Sequence, residues 1–335
     1  MPVYQWEKMP KAVSLFSGCG GSDAGLSKAG FDIVMANDIL PYAREVYLAN
    51  LPETDYLIQD IREVEKFPSA DLLVGCYPCQ GFSQGGARLA DRSINFLYKE
   101  FARALTNIQP KAFIVENVSG MRNSTFKHLL DDQIKRFSNA GNIGYKVVWN
   151  ILKAHHYGVP QERKRLIIVG IRNDFDLEYK FPEATHGEEK SLPYVTIGEA
   201  LKGLPEWPIG EFCDDPFHWY YLSRNRRRNW DEVSKTIVSN LRHIPLHPIS
   251  PELKKVGIDK WEFITNSPAR RFSYKEAAIL QGFSKEYTNH GGYLTFPDMD
   301  SFGAARMLKE RYKVVGNAVP PPLFEAVVRN IPDIW

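Results

Sequence analysis

Residues 12–16, 32–36, 71–75 and 112–116 are apolar through their centres rather than at alternate positions. A strand that is apolar on both faces must be covered on both faces. The stretches between these runs are long enough for helical crossovers, which parallel strands need. This pattern predicts a doubly wound, Rossmann-like α/β sheet. Residues 146–152 and 165–171 read as a late hairpin, and a short third strand precedes Asp60. At ~150 residues per domain, 335 residues make about two domains.

The texture changes near Phe181-Pro182. From there to about Pro268 the chain is rich in Pro, Trp, His and short polar turns, which predicts a smaller, loop-rich second domain. Helical pattern returns at 273–281, where Ser273 and Glu276 have capping-box spacing, and again at 322–329. The expected division is 1–184, 185–304, and a segment 305–335 that returns to the first domain.

Lys and Arg number 42 against 40 Asp and Glu, a net charge of +2 that excludes a uniformly basic coater of nucleic acid. No apolar run reaches the ~18 residues of a membrane helix. The N-terminus lacks a signal-peptide pattern, so the expectation is a cytoplasmic protein without membrane contact. Cys76 and Cys79 form a C-x-x-C pair, but Cys19 and Cys213 make no second pair. A zinc site is not expected. His243 and His247 have Pro245 between them, and no metal is assigned there either.

The first run ends in Phe16-Ser-Gly18-Cys-Gly20-Gly21. Such a turn lets a ligand approach the backbone and leaves helix N–H groups for an acceptor. Asp38 lies 20 residues after Gly18, where an acidic side chain holds ribose hydroxyls. An adenosine-containing cofactor fits; a tight turn with no ligand is the bland alternative. Asp23 stands where the dinucleotide fingerprint has its third glycine. A carboxylate there suits a cationic amino-acid-like group, as on S-adenosylmethionine, better than a pyrophosphate, and disfavours a nicotinamide oxidoreductase.

The run 71–75 ends in Cys76-Tyr-Pro78-Cys79-Gln80-Gly-Phe-Ser83. It places a thiol, the most nucleophilic ordinary side chain, at the same sheet edge as the glycine turn. The polar, glycine-rich stretch after it reads as a lid. Glu116-Asn117-Val118 ends the next strand, and Gln161-Glu-Arg163-Lys-Arg165 precedes the last one. Thiol, carboxyl and arginines therefore converge on one rim.

In this order the elements resemble those of the DNA cytosine-5 methyltransferases of bacterial restriction–modification systems. Phe16-Ser-Gly-Cys-Gly-Gly21, Pro78-Cys79-Gln80, Glu116-Asn117-Val118, Gln161-x-Arg163-x-Arg165, Arg270-Arg271 with the helix to Gly282-Phe283, and Gly316-Asn317-Ala318-Val319-Pro320 carry the likeness. Tyr77 and Ala318 depart from the commoner Phe and Ser without touching reactive atoms. The resemblance implies methyl transfer from S-adenosylmethionine to C5 of a flipped-out cytosine in a specific duplex DNA site. It assigns Cys79 as nucleophile at C6, Glu116 as a proton-bearing partner of N3, Arg165 at O2, and Arg163 as support for the nucleophile loop or a phosphate. It assigns the cofactor to Phe16, Gly18, Gly20, Gly21, Asp38, Ile39, Asp60, Ile61, Pro78, Leu97 and Asn317. No metal is implied.

The loop-rich segment then corresponds to the family's target-recognition domain. Residues 234–237, Ser-Lys-Thr236-Ile, resemble its short threonine–aliphatic signature. Gln80, Ser83, Arg226, Arg227, Arg228, Thr236 and Arg242 are the DNA-contact candidates, because arginine suits both guanine edges and phosphates. Residues 216–285 carry 13 basic and six acidic side chains, a local +7 inside a nearly neutral chain. A monomer is expected, with duplex DNA as substrate and a restriction endonuclease as functional counterpart. The competing readings are a transfer RNA methyltransferase of the same fold, disfavoured by Ser83 where that branch carries threonine, and a catalytically dead DNA-binding module.

Overall fold

The computed structural model describes residues 9–78, 93–123, 126–288 and 290–335. Seven strands, β1 (Lys11–Leu15), β2 (Asp32–Asp38), β3 (Tyr56–Ile58), β4 (Leu72–Gly75), β5 (Ala112–Val118), β6 (Tyr145–Lys153) and β7 (Lys164–Arg172), build one sheet. Their order is β3-β2-β1-β4-β5-β7-β6. β1 to β5 pair in parallel and β7 runs antiparallel to β5. The runs apolar on both faces are the central strands: every residue of β4 is buried, as are the first six of β5. The strand order reverses between β1 and β4, where open α/β sheets bind their ligands.

Helices α1 (Gly21–Lys28), α2 (Pro41–Asn50), α3 (Tyr98–Ile108) and α4 (Lys127–Ser138) alternate with the strands. Phe101 of α3, Phe113 of β5 and Phe137 of α4 meet edge to face with centroids 5.3–5.9 Å apart. Such ring pairs add to the burial of apolar area. Gly75 is required by this packing, because a Cβ there would sit 2.4 Å from the Phe101 ring.

The chain divides into two compact units: residues 1–152, 164–183 and 324–335, and residues 153–163 and 184–323. In the second unit, regular elements are few. Among the described residues they are the one-turn α5 (Ile197–Ala200), the hairpin of β8 (Leu253–Gly257) and β9 (Lys260–Phe263), α6 (Tyr274–Leu280) and α7 (Ala304–Asn317), besides short 3-10 turns. α6 opens on the capping box that its sequence spacing predicts, with Ser273 and Glu276 each holding the other's backbone N–H. α8 (Pro321–Arg329) leads back to the first unit, where the Tyr179 hydroxyl donates to the Val327 carbonyl at 2.8 Å.

These divisions differ from the sequence expectation in two places. Residues 153–163 and 305–323 group with the second unit. The cause is a buried hub: Gln161 and Arg163 bond to the backbone of Ile237, Leu280, Gly316 and Ala318.

Candidate active site

The glycine turn is held by its own backbone and by the end of β2. Phe16 (φ 59°), Gly18 (φ 54°) and Gly20 (φ 87°) are left-handed, so the chain reverses within a few residues. The N–H of Gly20 donates to the Ser17 carbonyl at 3.0 Å, and that of Ser17 to the Asn37 carbonyl at 3.0 Å. The Asp38 carboxylate accepts from the Gly18 N–H (2.9 Å) and the Leu40 N–H (3.0 Å). Phe16 meets Tyr77 edge to face at 6.0 Å. Gly20 is packed, since a Cβ there would lie 2.9 Å from the Tyr47 ring. Gly18 is open, with nothing within 4 Å of its Cβ direction. A ligand can lie directly on the Gly18 backbone, which is the fit expected for a nucleoside cofactor.

The other candidate cofactor residues in this unit are placed as follows. Gly21 is buried at the start of α1. Ile39 is 59% exposed just beyond β2, an apolar platform next to Asp38. Ile61 is buried, whereas Pro78 and Leu97 are half-buried. Asp60 caps the turn Ile61–Glu63 and accepts from the Arg62 N–H (3.0 Å) and Nε (2.9 Å). Those bonds hold its carboxyl below the usual carboxylate range. Asn317 ends α7 in the second unit and is exposed.

Asp23 departs from the sequence expectation. It is fully buried, not presented to a ligand. Its Oδ1 accepts from Ser14 Oγ at 2.6 Å and Ser22 Oγ at 3.0 Å. A direct contact with a bound cofactor is therefore not available in this conformation.

Glu116 and Arg165 are brought together. In the β5–β7 ladder Glu116 faces Ile167 and Val118 faces Arg165, so Glu116 and Arg165 are diagonal neighbours on one face. Arg165 Nε lies 2.5 Å from Glu116 Oε1, with the two side chains 14% and 10% exposed. Burial pulls the guanidinium below its usual range and the Glu116 charge opposes that. Asn117, buried beside them, donates through Nδ2 to the Tyr77 carbonyl at 3.4 Å and accepts from the Val118 N–H at 2.7 Å. It ties β5 to the segment leading to Cys79, a positioning role that the sequence reading did not assign. Cys79, Gln80 and Ser83 lie outside the described residues.

Arg163 does not stand at a phosphate. It is 1% exposed, and its Nη atoms donate to the carbonyls of Ile237 (2.9 Å), Gly316 (2.9 Å) and Ala318 (3.1 Å). Gln161 beside it donates to the Leu280 carbonyl and to Gln281 Oε1, and accepts from the Ile237 N–H. Thr236 donates its hydroxyl to the Glu162 carbonyl at 2.6 Å. The Gln-x-Arg and Thr-Ile signatures and the Gly-Asn-Ala segment thus meet in one buried network. Gly316 is essential there: a Cβ would come within 2.3 Å of Ser239 N.

The candidate DNA-reading arginines are more engaged than their sequence implies. Arg227 donates to the carbonyls of Ser250 and Pro248, and Arg228 pairs with Glu162 and Glu232. Arg226 is half-buried, bonded to the Tyr221 carbonyl and stacked over its ring. Arg242 is exposed but paired with Asp215 at 2.6 Å. The buried Arg270 makes a two-pronged bond to Glu276, and the buried Arg271 stacks over Phe217 and Tyr221. The local +7 of residues 216–285 therefore overstates the charge this unit offers to DNA. His155 and His156 pack against Tyr194, and no group of three or more His, Cys, Asp or Glu among the described residues is arranged for a metal.

A doubly wound sheet with an open glycine turn at its switch point makes this a Rossmann-like α/β protein, with the shielded Glu116–Arg165 pair at the next strand end. The chain belongs to the C-5 cytosine-specific DNA methylase family, which it matches over residues 10–333. It is 38% identical to the Type II methyltransferase M.BsuRI of Bacillus subtilis, over 95% of this chain and 78% of the relative. It is 33% identical to M.NgoPII of Neisseria gonorrhoeae, over 92% of each. Among solved structures it resembles S. pombe Dnmt2 methyltransferase (TM-score 0.67, 16% identity, 96% of this chain and 98% of that one). It also resembles Entamoeba histolytica methyltransferase EhMeth (TM-score 0.63, 18% identity, 96% and 97%); these likenesses concern the fold alone. The protein is a DNA cytosine-5 methyltransferase of the restriction–modification type, and its family and fold imply S-adenosylmethionine as methyl donor. None of its described helices is long and apolar enough to cross a membrane.

Proposed function

We propose that this enzyme methylates C5 of a flipped-out cytosine in a specific duplex DNA sequence through a covalent bond between Cys79 and C6. The observation that carries the reading is the adjacency, in one sheet, of the Gly18 turn at the end of β1, the Cys76-Tyr-Pro78 segment after β4, and the Glu116–Arg165 pair on β5 and β7.

S-adenosylmethionine, when bound, supplies an electrophilic methyl group on a sulfonium. The Gly18 backbone, the Asp38 carboxylate and the Ile39 side chain form the surface against which its nucleoside would rest. Cytosine C5 is a poor nucleophile until a thiolate adds at C6, and Cys79 is the group with that chemistry. Addition places negative charge on the ring. Arg165 stabilises it at O2, and Glu116, once it carries a proton, does so at N3. Asn117 positions the segment before Cys79. After methyl transfer, loss of the C5 proton and elimination of Cys79 restore the ring. The stacked base is inaccessible, so the target must leave the helix at a cost of roughly a few kcal/mol. Residues 185–304 would set the sequence read and Arg163 the architecture of that reading unit, with host DNA protected from a cognate endonuclease.

Bisulfite sequencing of DNA from a host expressing the protein tests this directly. Methylation at one short motif with the wild type, and none with Cys79→Ser, is expected. Methylation by Cys79→Ser, or methylation confined to transfer RNA, would overturn it.

A further inference from the structure

Residues 216–230 hold Arg224, Arg226, Arg227 and Arg228 and no acidic side chain. Arg228 finds its carboxylates elsewhere, in Glu162 and Glu232. Arg226 donates to the Tyr221 carbonyl, and the buried Arg271 to the carbonyls of Cys213, Asp215 and Arg242. Both guanidiniums lie over the Tyr221 ring, 5.1 and 4.7 Å from its centroid. Arg224 is exposed, and its charge and that of Arg271 both bear on Arg226. Carbonyls and rings hold a guanidinium in place without cancelling its charge. Like charges grouped in this way repel one another, and an anion from outside relieves them.

The same segment carries an aromatic cluster. Trp219 is 79% exposed, more than any other Trp, Tyr or Phe among the described residues. A lone exposed ring needs no explanation, but this one is braced. It meets Tyr220 edge-on at 5.7 Å, Tyr220 packs against His243 at 5.2 Å, and His218 stacks on Tyr220 at 6.5 Å. The turn beneath is anchored. Tyr221 is fully buried with Leu246 and Leu253 in a small apolar core, its hydroxyl donates to the Ile244 carbonyl (2.8 Å), and its N–H donates to the His218 carbonyl (3.0 Å). A flat ring on a rigid base, beside uncancelled positive charge, suits a ligand that offers stacked bases and phosphates together.

We propose that Trp219 is a stacking wedge for duplex DNA. Its indole lies against bases of the recognised sequence and partly unstacks them, Arg224 takes a neighbouring phosphate, and Arg226 and Arg271 supply positive field from beneath. The proposal rests on duplex DNA being the substrate, as proposed above. It makes sequence choice depend on how readily a site deforms as well as on hydrogen bonds to base edges.

The test uses the full-length protein and short duplexes with or without the motif found by bisulfite sequencing, carrying 2-aminopurine in or beside it. Fluorescence anisotropy reads affinity, and 2-aminopurine emission, which rises on unstacking, reads the wedge. Trp219→Ala should bind the motif duplex about tenfold or more weakly and lose the emission rise, with unfolding temperature and S-adenosylmethionine affinity unchanged. Trp219→Phe keeps a ring and should retain most of both signals. Arg224→Gln should weaken both duplexes alike and lower the salt dependence by about one ion. Wild-type affinity and emission in Trp219→Ala would overturn the proposal. So would equal weakening on both duplexes with the emission rise intact, which marks a plain backbone contact. A wild type that binds transfer RNA and not the duplex would instead overturn the substrate reading on which the proposal rests.

Discussion

Arg165 Nε and Glu116 Oε1 lie 2.5 Å apart, diagonally across the β5–β7 ladder and almost shielded from water. The two groups expected to contact the cytosine ring are each other's partners. The pair is thus pre-formed on rigid strands, and each member keeps the other oriented. Arg165→Ala would leave a shielded carboxylate without its cation and should cost about 3 kcal/mol of stability as well as activity. Glu116→Gln keeps the shape and should retain most stability while lowering turnover by at least ~10²-fold. Chemical denaturation with single-turnover methylation on both variants checks this; equal stability losses would mean the pair acts only as a brace.

Gly18→Ala separates cofactor binding from folding. The position has room for a Cβ but sits at φ 54°, so the backbone penalty is about 1 kcal/mol. Isothermal titration should show S-adenosylmethionine affinity falling at least about tenfold, because the added methyl occupies the face on which the ligand lies. Unchanged affinity would move the cofactor elsewhere.

Arg163→Ala should act on the second unit rather than on chemistry. Removing it strips donors from the carbonyls of Ile237, Gly316 and Ala318, at ~1–3 kcal/mol for a buried group left unpaired. Lysine lacks the planar fork and should rescue poorly. Limited proteolysis should show earlier cleavage within 184–323, and a variant that is stable but inactive would assign Arg163 to catalysis instead.

His247 sets an acid limit. It is buried against Arg270 and Glu276, and burial first, then Arg270, depresses its pKa to about 3. An unfolded histidine titrates near ~6.5. Above that pH both states are neutral and the full stability is present. As pH falls the unfolded chain takes up the proton first, so stability drops, by roughly 3 kcal/mol at pH 4 from this group alone. His155, depressed to about 4 chiefly by burial, adds in the same direction. Urea unfolding between pH 4 and 8 should show this slope, and His247→Asn should flatten it. An unchanged slope in the variant would place the acid limit elsewhere.

Much of the first unit is legible in the sequence because its strands must be apolar on both faces, and period and composition express that directly. The glycine turn, Glu116 and Arg165 were legible for the same reason: they fall at strand ends, and strand ends share one sheet edge. Charge was read less well. Asp23, Arg163, Arg270 and Arg271 look like surface or ligand-facing groups, yet all four are buried. Arg163 and Arg271 bond main-chain carbonyls distant in sequence, which no local spacing announces, whereas Asp23 and Arg270 bond hydroxyls and a carboxylate nearer in the chain. The loop-rich second unit hides its organisation in the same way, since its Gln161–Arg163 hub joins segments up to about 155 positions apart.

The covalent Cys79–C6 bond is the central claim, and a mechanism-based trap reads it most directly. Duplex DNA carrying 5-fluorocytosine at the target identified by bisulfite sequencing is incubated with enzyme and S-adenosylmethionine, then run on a denaturing gel. Fluorine cannot leave as the C5 proton does, so the wild type should form a protein–DNA adduct that survives denaturation, and Cys79→Ser should form none. No adduct on a site the enzyme methylates in its ordinary form, or an adduct with Cys79→Ser, would contradict the account.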